Sequence, residues 1–420
     1  MTEVNVSEVQ ASNWQQLSYF RVYVHNDGEL QHAEYPLFRN GVQQLRITVR
    51  LAARNAAGVP VKIPAADLAN VCLIDYTTSA PISFDNDSPA KEWRPSRTHN
   101  GYTWDRRIFD SVKSLQSEQP HLFEQAEIDM RAPEAGAVNM PDDLNGWQEK
   151  QITDWALPFP DDDKYRFDDG YQYVEFYLAT SSAVVRTFAA RVSNSDGTTF
   201  RCNYKDIDDP TGEGDKLGKF NSSFKVVPFN FPNLPNENYG DRLPSDPSLL
   251  RDTLIRSVDQ DGYNTRAFEH HINIKLPNGS KIPIQWVKTA GNSLPRYLSV
   301  WGSGGSGNAK MSFTYLGYPG NNQLTMGMSF YGIGPGYMVP LQDLLLRPLQ
   351  SDLRIRHPRS GELVIGQYIT STPFSGIFHK DNTAVPNMMY SDMELVDVYG
   401  NSHFLRLGLV TGLNYLTLNK

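Results

Sequence analysis

The chain has 420 residues, a formal net charge of −8, 40% hydrophobic residues and 20% charged ones. That balance excludes wholesale disorder, and an acidic chain is excluded as a nucleic-acid binder that works through bulk electrostatics. The length suits about two to four domains, and 31 glycines with 27 prolines favour strands and turns over long helices.

The opening Met1-Thr2-Glu3-Val4-Asn5 has neither a basic start nor an apolar run, so no secretory signal is expected. No stretch of about 18 apolar residues occurs, so no transmembrane helix is expected. Cys72 and Cys202 are too few for a disulfide framework and read as buried, inert thiols. The expected localisation is cytoplasmic synthesis, with lysis or non-classical export as routes of release.

In chain order, residues 1–16 are polar and read as an arm or an edge strand. Tyr19–Val24 opens a first module, followed by strands at Leu45–Ala53, Val59–Ile63 and Val71–Tyr76. Leu45, Ile47, Val49 and Leu51 share one face, with Arg46, Thr48 and Arg50 on the other, as in a half-buried antiparallel strand. Between Ser117 and Asp169 there are 14 Asp or Glu and 4 Lys or Arg, and a short helix is expected from Gln119 to Met130. Phe159-Pro160-Asp161-Asp162-Asp163 reads as a linker.

Strands at Tyr171–Leu178, Val184–Val192 and Thr198–Tyr204 mark a second module, and five prolines within residues 228–247 mark its end. Asp246-Pro247 reads as the cap and first turn of a helix running to Val258. The rest is strand-rich, with a short helix at Leu341–Leu346 stopped by Pro348.

Five alternating runs break at short polar turns: Asn55–Gly58, Asn194–Gly197, Asn278–Gly279, Pro358–Gly361 and Gly400–Asn401. Such runs read as antiparallel hairpins. The expected fold class is mainly β, with tandem antiparallel β-sandwich (immunoglobulin-like) modules and few short helices. The expected divisions are an N-terminal sandwich module at 1–116, an acidic linker or insertion at 117–164 and a second sandwich at 165–232. A proline-rich linker with a short helix follows at 233–265, then a β-rich domain at 266–420.

The chain has no Gly-x-Ser-x-Gly elbow, no P-loop and no His-Glu-x-x-His, so no enzyme activity is expected. His270 and His271 are neighbours on a strand and point to opposite faces, so both cannot ligate one metal. No cofactor is expected, apart from a candidate calcium group of Asp206, Asp208, Asp209 and Asp215 in an oxygen-rich loop. Asp259–Asn264 resembles the start of an EF-hand loop, but the twelfth position is His270 where a carboxylate is needed.

Trp301–Tyr337 holds ten glycines in 37 residues. Its runs 311–315 and 324–330 read as a hairpin, and the candidate binding or assembly residues are Phe313, Tyr315, Tyr318, Met326, Met328 and Phe330. Residues 270–420 carry 12 Lys or Arg against 7 Asp or Glu, opposite in sign to the acidic 117–169 stretch, which favours head-to-tail contacts between copies. The expected role is a self-assembling structural component or an adhesive, receptor-binding protein. Its partners would be further copies of itself, a glycan or a cell-surface receptor. The alternatives are a lysis-released β-pore-forming or host-directed toxin that inserts residues 311–330, and, below it, a glycan-active enzyme with dispersed carboxylates.

Overall fold

A computed structural model of the chain describes residues 14–25, 32–84, 92–124, 167–168, 170–208, 212–260, 263–289, 309–316, 327–329, 338–340, 361–370, 390–409 and 416–420. The protein is mainly β, with several antiparallel sheets and few helices. It divides into two compact units, one of Met1–Asp110 with Ile128–Phe231 and one of Ser111–Glu127 with Pro232–Lys420.

The first unit contains β1 (Gln16–Val24), β2 (Glu34–Phe38), β3 (Leu45–Arg54), β4 (Pro60–Val61), helix α1 (Ala65–Ala69), β5 (Cys72–Asp75) and β6 (Trp93–Ser96). Helix α2 (Arg106–Glu118), from Ser111 onward, and α3 (His121–Glu124) fall in the second unit, and the first continues with β7 (Phe167–Asp168), β8 (Tyr171–Thr180), β9 (Arg186–Ser193), β10 (Thr199–Arg201) and β11 (Phe224–Phe229). One sheet runs β1-β3-β8-β6, with β4 on β3 and β7 on β8; the other runs β10-β9-β11-β2, with β5 on β9.

The inward alternation of both sheets builds one hydrophobic cluster. It includes Leu45, Ile47, Val49 and Leu51 from β3, Val174, Phe176 and Leu178 from β8, and Phe188, Phe224 and Val226 from the facing sheet. Each such side chain, buried to 0% exposure, contributes about 1.5–3 kcal/mol relative to leaving it in water. Cys72 and Cys202 are both buried, and burial pushes the Cys202 thiol up to about 12.

The stretches expected as separate modules at 1–116 and 165–232 interleave. β8 lies between β3 and β6, β9 pairs with β5, and β11 pairs in parallel with the edge strand β2. Neither stretch carries a complete sheet, because every inward face needs strands from the other. The edge of β2 is closed by side chains: Trp104 Nε1 donates to the Pro36 carbonyl at 2.8 Å, and the Phe38 N–H donates to Gln43 Oε1 at 2.9 Å. Such capping leaves less open edge for pairing with another chain.

The second unit contains β12 (Arg242–Leu243), β13 (Asp246–Leu250), β14 (Thr253–Gln260), β15 (Tyr263–Ile272), β16 (Ile274–Lys275), β17 (Lys281–Ile282) and β18 (Ile284–Thr289). It goes on with β19 (Ala309–Leu316), β20 (Gly327–Ser329), β21 (Met338–Pro340), β22 (Leu363–Thr370), β23 (Tyr390–Asp397), β24 (Ser402–Leu409) and β25 (Leu416–Asn419). A six-stranded sheet runs β12-β13-β25-β24-β23-β18, and a four-stranded one β14-β15-β22-β19.

The helix expected after Asp246-Pro247 is corrected to two strands, β13 and β14. Asp246 does cap, but it caps an extended turn: its Oδ1 accepts from the Ser248 N–H at 3.0 Å and the Ser248 hydroxyl at 2.6 Å. Leu249 then pairs with Thr417, and Thr253, Ile255 and Val258 supply a β-branched strand. Helix α2 went unforeseen, and the helix expected over Gln119–Met130 is represented by α3, its residues 125–130 lying outside the described residues. The expected helix at Leu341–Leu346 also lies outside them.

Among the described residues four turns share one local construction, with Asn or Asp first and Gly fourth, starting at Asn55, Asn194, Asp215 and Asp397. The first residue's N–H donates to the fifth carbonyl at 3.0–3.1 Å, and the glycine N–H donates back to the first carbonyl at 2.9–3.1 Å. The first side chain's Oδ1 accepts the fifth N–H at 2.8–3.0 Å. The fourth position takes positive φ, +79° at Gly58 and +83° at Gly400, which explains glycine there. Leu276–Ser280, around the expected Asn278–Gly279 turn, repeats the backbone pattern without the leading Asx.

Candidate functional site

In the second unit the polar groups converge around residues 271–275. An antiparallel bridge between Tyr239 and Ile274 lays 239–241 beside this strand, with the Gly240 N–H donating to the Asn273 carbonyl at 2.8 Å and the Asp241 N–H to the His271 carbonyl at 3.1 Å. Ile272 and Ile274 face inward and are fully buried, so His271, Asn273 and Lys275 line the opposite face. His270 is fully buried with the isoleucines, which places the two adjacent histidines on opposite faces.

A carboxylate flanks the row on each side. Lys275 Nζ donates to Asp241 Oδ1 at 2.7 Å, and Asn273 Nδ2 reaches the same oxygen at 3.5 Å, a long bond. Glu362 lies 3.5 Å from both His271 Nδ1 and Lys281 Nζ. Burial works to raise the Asp241 pKa, but the Lys275 hydrogen bond and the Lys275 and Lys281 charges outweigh it and hold that carboxyl below its ordinary range. Beneath this rim Asn273 is only 2% exposed, and its Oδ1 has no hydrogen-bond partner. Reversing the amide would set its oxygen against the Asp241 carboxylate, so the orientation follows from the charges.

A second buried polar group joins Tyr239 to the β23–β24 hairpin. Tyr239 Oη meets His403 Nδ1 at 3.0 Å, and His403 Nε2 meets Asp397 Oδ2 at 3.2 Å. Asp397 Oδ1 also accepts the Tyr399 and Asn401 N–H groups. All three members of the chain are buried, so this network holds a turn in place.

In the first unit the outer face of β1, β3 and β8 is rich in tyrosine and arginine. The Arg50 guanidinium stands 3.8 Å from the centre of the Tyr171 ring, 5.2 Å from Tyr19 and 5.6 Å from Tyr173. Two side-chain positions along the same face of β3, Arg46 forms a two-point pair with Glu175 at 2.9 and 2.6 Å. Tyrosine and arginine are the residues enriched at the energetic centres of interfaces.

A serine–histidine contact also occurs, with His32 Nδ1 2.6 Å from Ser223 Oγ and His32 in the left-handed region at φ +54°. Ser223 is 1% exposed, so no substrate carbonyl can approach its hydroxyl, and the pair serves as a strand-end tether.

Of the residues singled out in the sequence, Phe313 and Tyr315 lie on β19 and Met328 on β20, whereas Tyr318, Met326 and Phe330 lie outside the described residues. The described pairings take these strands elsewhere than to each other: β19 pairs with β22 and β20 with β21. In the acidic loop, Asp206 and Asp208 are exposed and Asp209 is outside the described residues. Asp215 is engaged as a turn cap, its Oδ1 accepting the Leu217 and Lys219 N–H groups at 2.9 Å. Among the described residues no group of three or more His, Cys, Asp or Glu is arranged to hold a metal ion, and no helix is long and apolar enough to cross a membrane.

The polar row was readable in part, since His271-Ile272-Asn273-Ile274-Lys275 alternates cleanly. Asp241 and Glu362 carry no local signal, because backbone pairing alone brings them alongside. The chain matches no protein-family model and no curated protein sequence.

Proposed function

We propose that this chain is a non-enzymatic, modular β protein that acts through its surfaces, as a self-assembling structural component or an adhesive, receptor-binding one. The observation that carries the reading is Arg50 held among Tyr19, Tyr171 and Tyr173 on the outer face of a sheet. Rigid strands fix the half-buried Arg50, Tyr171 and Tyr173 in advance, with Tyr19 itself buried, so little side-chain entropy is lost when a partner docks on the three. An immunoglobulin-like sandwich is our reading of the first unit, supported by two sheets that share one hydrophobic cluster. The parallel β2–β11 pair is its departure from a purely antiparallel layout.

Sedimentation velocity over a range of protein concentrations, at low and moderate salt, tests the assembling and adhesive alternatives against each other. Assembly that grows with concentration and weakens with salt supports a structural role. A monomer that nevertheless binds cells supports an adhesive one. A strict monomer with no cell or glycan binding overturns the proposal.

A further inference from the structure

We propose that the polar row on the second unit is a binding site for a neutral, hydroxyl-bearing ligand of the pyranose class. The inference rests on the adhesive form of the function proposed above and adds to it the ligand's chemistry and place. Its foundation is the unpartnered Asn273 Oδ1, buried beneath Asp241 and Lys275. An amide oxygen buried without a donor is costly, and the Asn273 Nδ2 contact with Asp241 turns the amide toward the carboxylate, so the orphan atom belongs to the same cluster.

Charge selects the ligand. Asp241 and Glu362 oppose an anion, while Lys275 and Lys281 oppose a cation, and the two pairs balance. What remains is a neutral group that donates to Asn273 Oδ1 and accepts from Lys275 Nζ. A hydroxyl does both at once, and two neighbouring hydroxyls match an Asp–Asn pair. The rim permits entry, since the Asp241 side chain is 46% exposed and the flexible Lys275 side chain 31%.

Saturation-transfer NMR on the full chain tests the site, with the methyl glycosides of glucose, galactose, mannose and N-acetylglucosamine as probes. At least one should receive saturation from the wild type, and Asp241→Asn should weaken its binding about tenfold or more, because a charged acceptor is lost. Asn273→Ser serves as a second variant, and thermal melts confirm that both fold. Asp392→Asn, on a different strand pair, should leave binding unchanged.

No transfer to any of the four glycosides overturns the site, as does transfer that survives both Asp241→Asn and Asn273→Ser. The two failures are separable. Cell binding that persists with no glycoside transfer removes this site and leaves the adhesive reading standing. Glycoside binding lost in Asp241→Asn and Asn273→Ser, by a protein that binds no cell, leaves the site and removes the adhesive role.

Discussion

Asp397 serves three neighbours with one fully buried carboxylate: it caps its own turn, holds the Asn401 amide and anchors His403. Asp397→Ala would strand the His403 ring and two backbone N–H groups at once, at a cost of about 3–5 kcal/mol. Urea titration should show the midpoint falling with the slope unchanged. Asp397→Asn keeps the acceptor for the turn and should cost less.

His99 is a residue of the opposite kind, held neutral. Its Nδ1 accepts the Gly101 N–H at 3.2 Å, which leaves Nε2–H to donate to the Tyr102 carbonyl at 3.1 Å. Burial, with a smaller push from the Arg46 charge, lowers its pKa from the ordinary 6.5. As pH falls through 6.5 the unfolded chain takes up a proton that the folded chain refuses, so the stability present above that value is lost on acidification. His99→Gln should flatten the decline in melting temperature between about pH 7 and pH 5. An unchanged slope would place the titrating group elsewhere.

At the scale of the element, the repeated Asx–x–x–Gly turn is a local code that the chain states openly. Its glycines at 58, 197 and 218 stand in open space, whereas Gly214, the residue just before the Asp215 turn, does not. Gly58 sits at φ +79° with open space where a Cβ would go, so Gly58→Ala should cost only the left-handed penalty of about 1–2 kcal/mol. Gly214, at φ +72°, would place a Cβ 2.6 Å from the Lys219 carbonyl and 2.7 Å from the buried Phe220 ring. Gly214→Ala adds overpacking to the same penalty and should cost about 3 kcal/mol or more. Thermal melts of the two variants side by side decide the point, and equal losses would refute the steric part.

The strands β13 and β14 show where local signals mislead. Asp-Pro followed by Ser-Leu-Leu-Arg suits a helix start as well as an Asx turn. The outcome was decided by partners available only in the folded unit, Thr417 for Leu249 and β15 for residues 253–260. Propensity is a weak prior when a sheet offers a ladder.

Over the whole molecule, the first unit is knitted from distant segments, with β2 pairing with β11 and β3 with β8. Such long-range pairing makes for slow, cooperative folding. The stretch from Ser117 to Asp169 carries a net charge of −10, and residues 270–420 carry +5. Contacts between copies that use this asymmetry should loosen when salt shortens the screening length to about 8–10 Å. Sedimentation should accordingly show smaller assemblies near physiological salt than at low salt; assembly insensitive to salt would point to apolar contacts.

The sequence by itself determined the β class, the turn positions at Asn55, Asn194, Asn278 and Gly400, and the inward faces of β3 and β8. All of these depend on period-two alternation and on positive-φ turn chemistry, which act over a few residues. Only the tertiary structure decided which strands became neighbours, because many apolar strands with the same alternation compete for each edge. The same choice of neighbours set Asp241 and Glu362 on either side of Asn273 and Arg50 among three tyrosines. No local pattern carries that information, since each partner lies tens of residues away and meets the others only through the pairing of backbones.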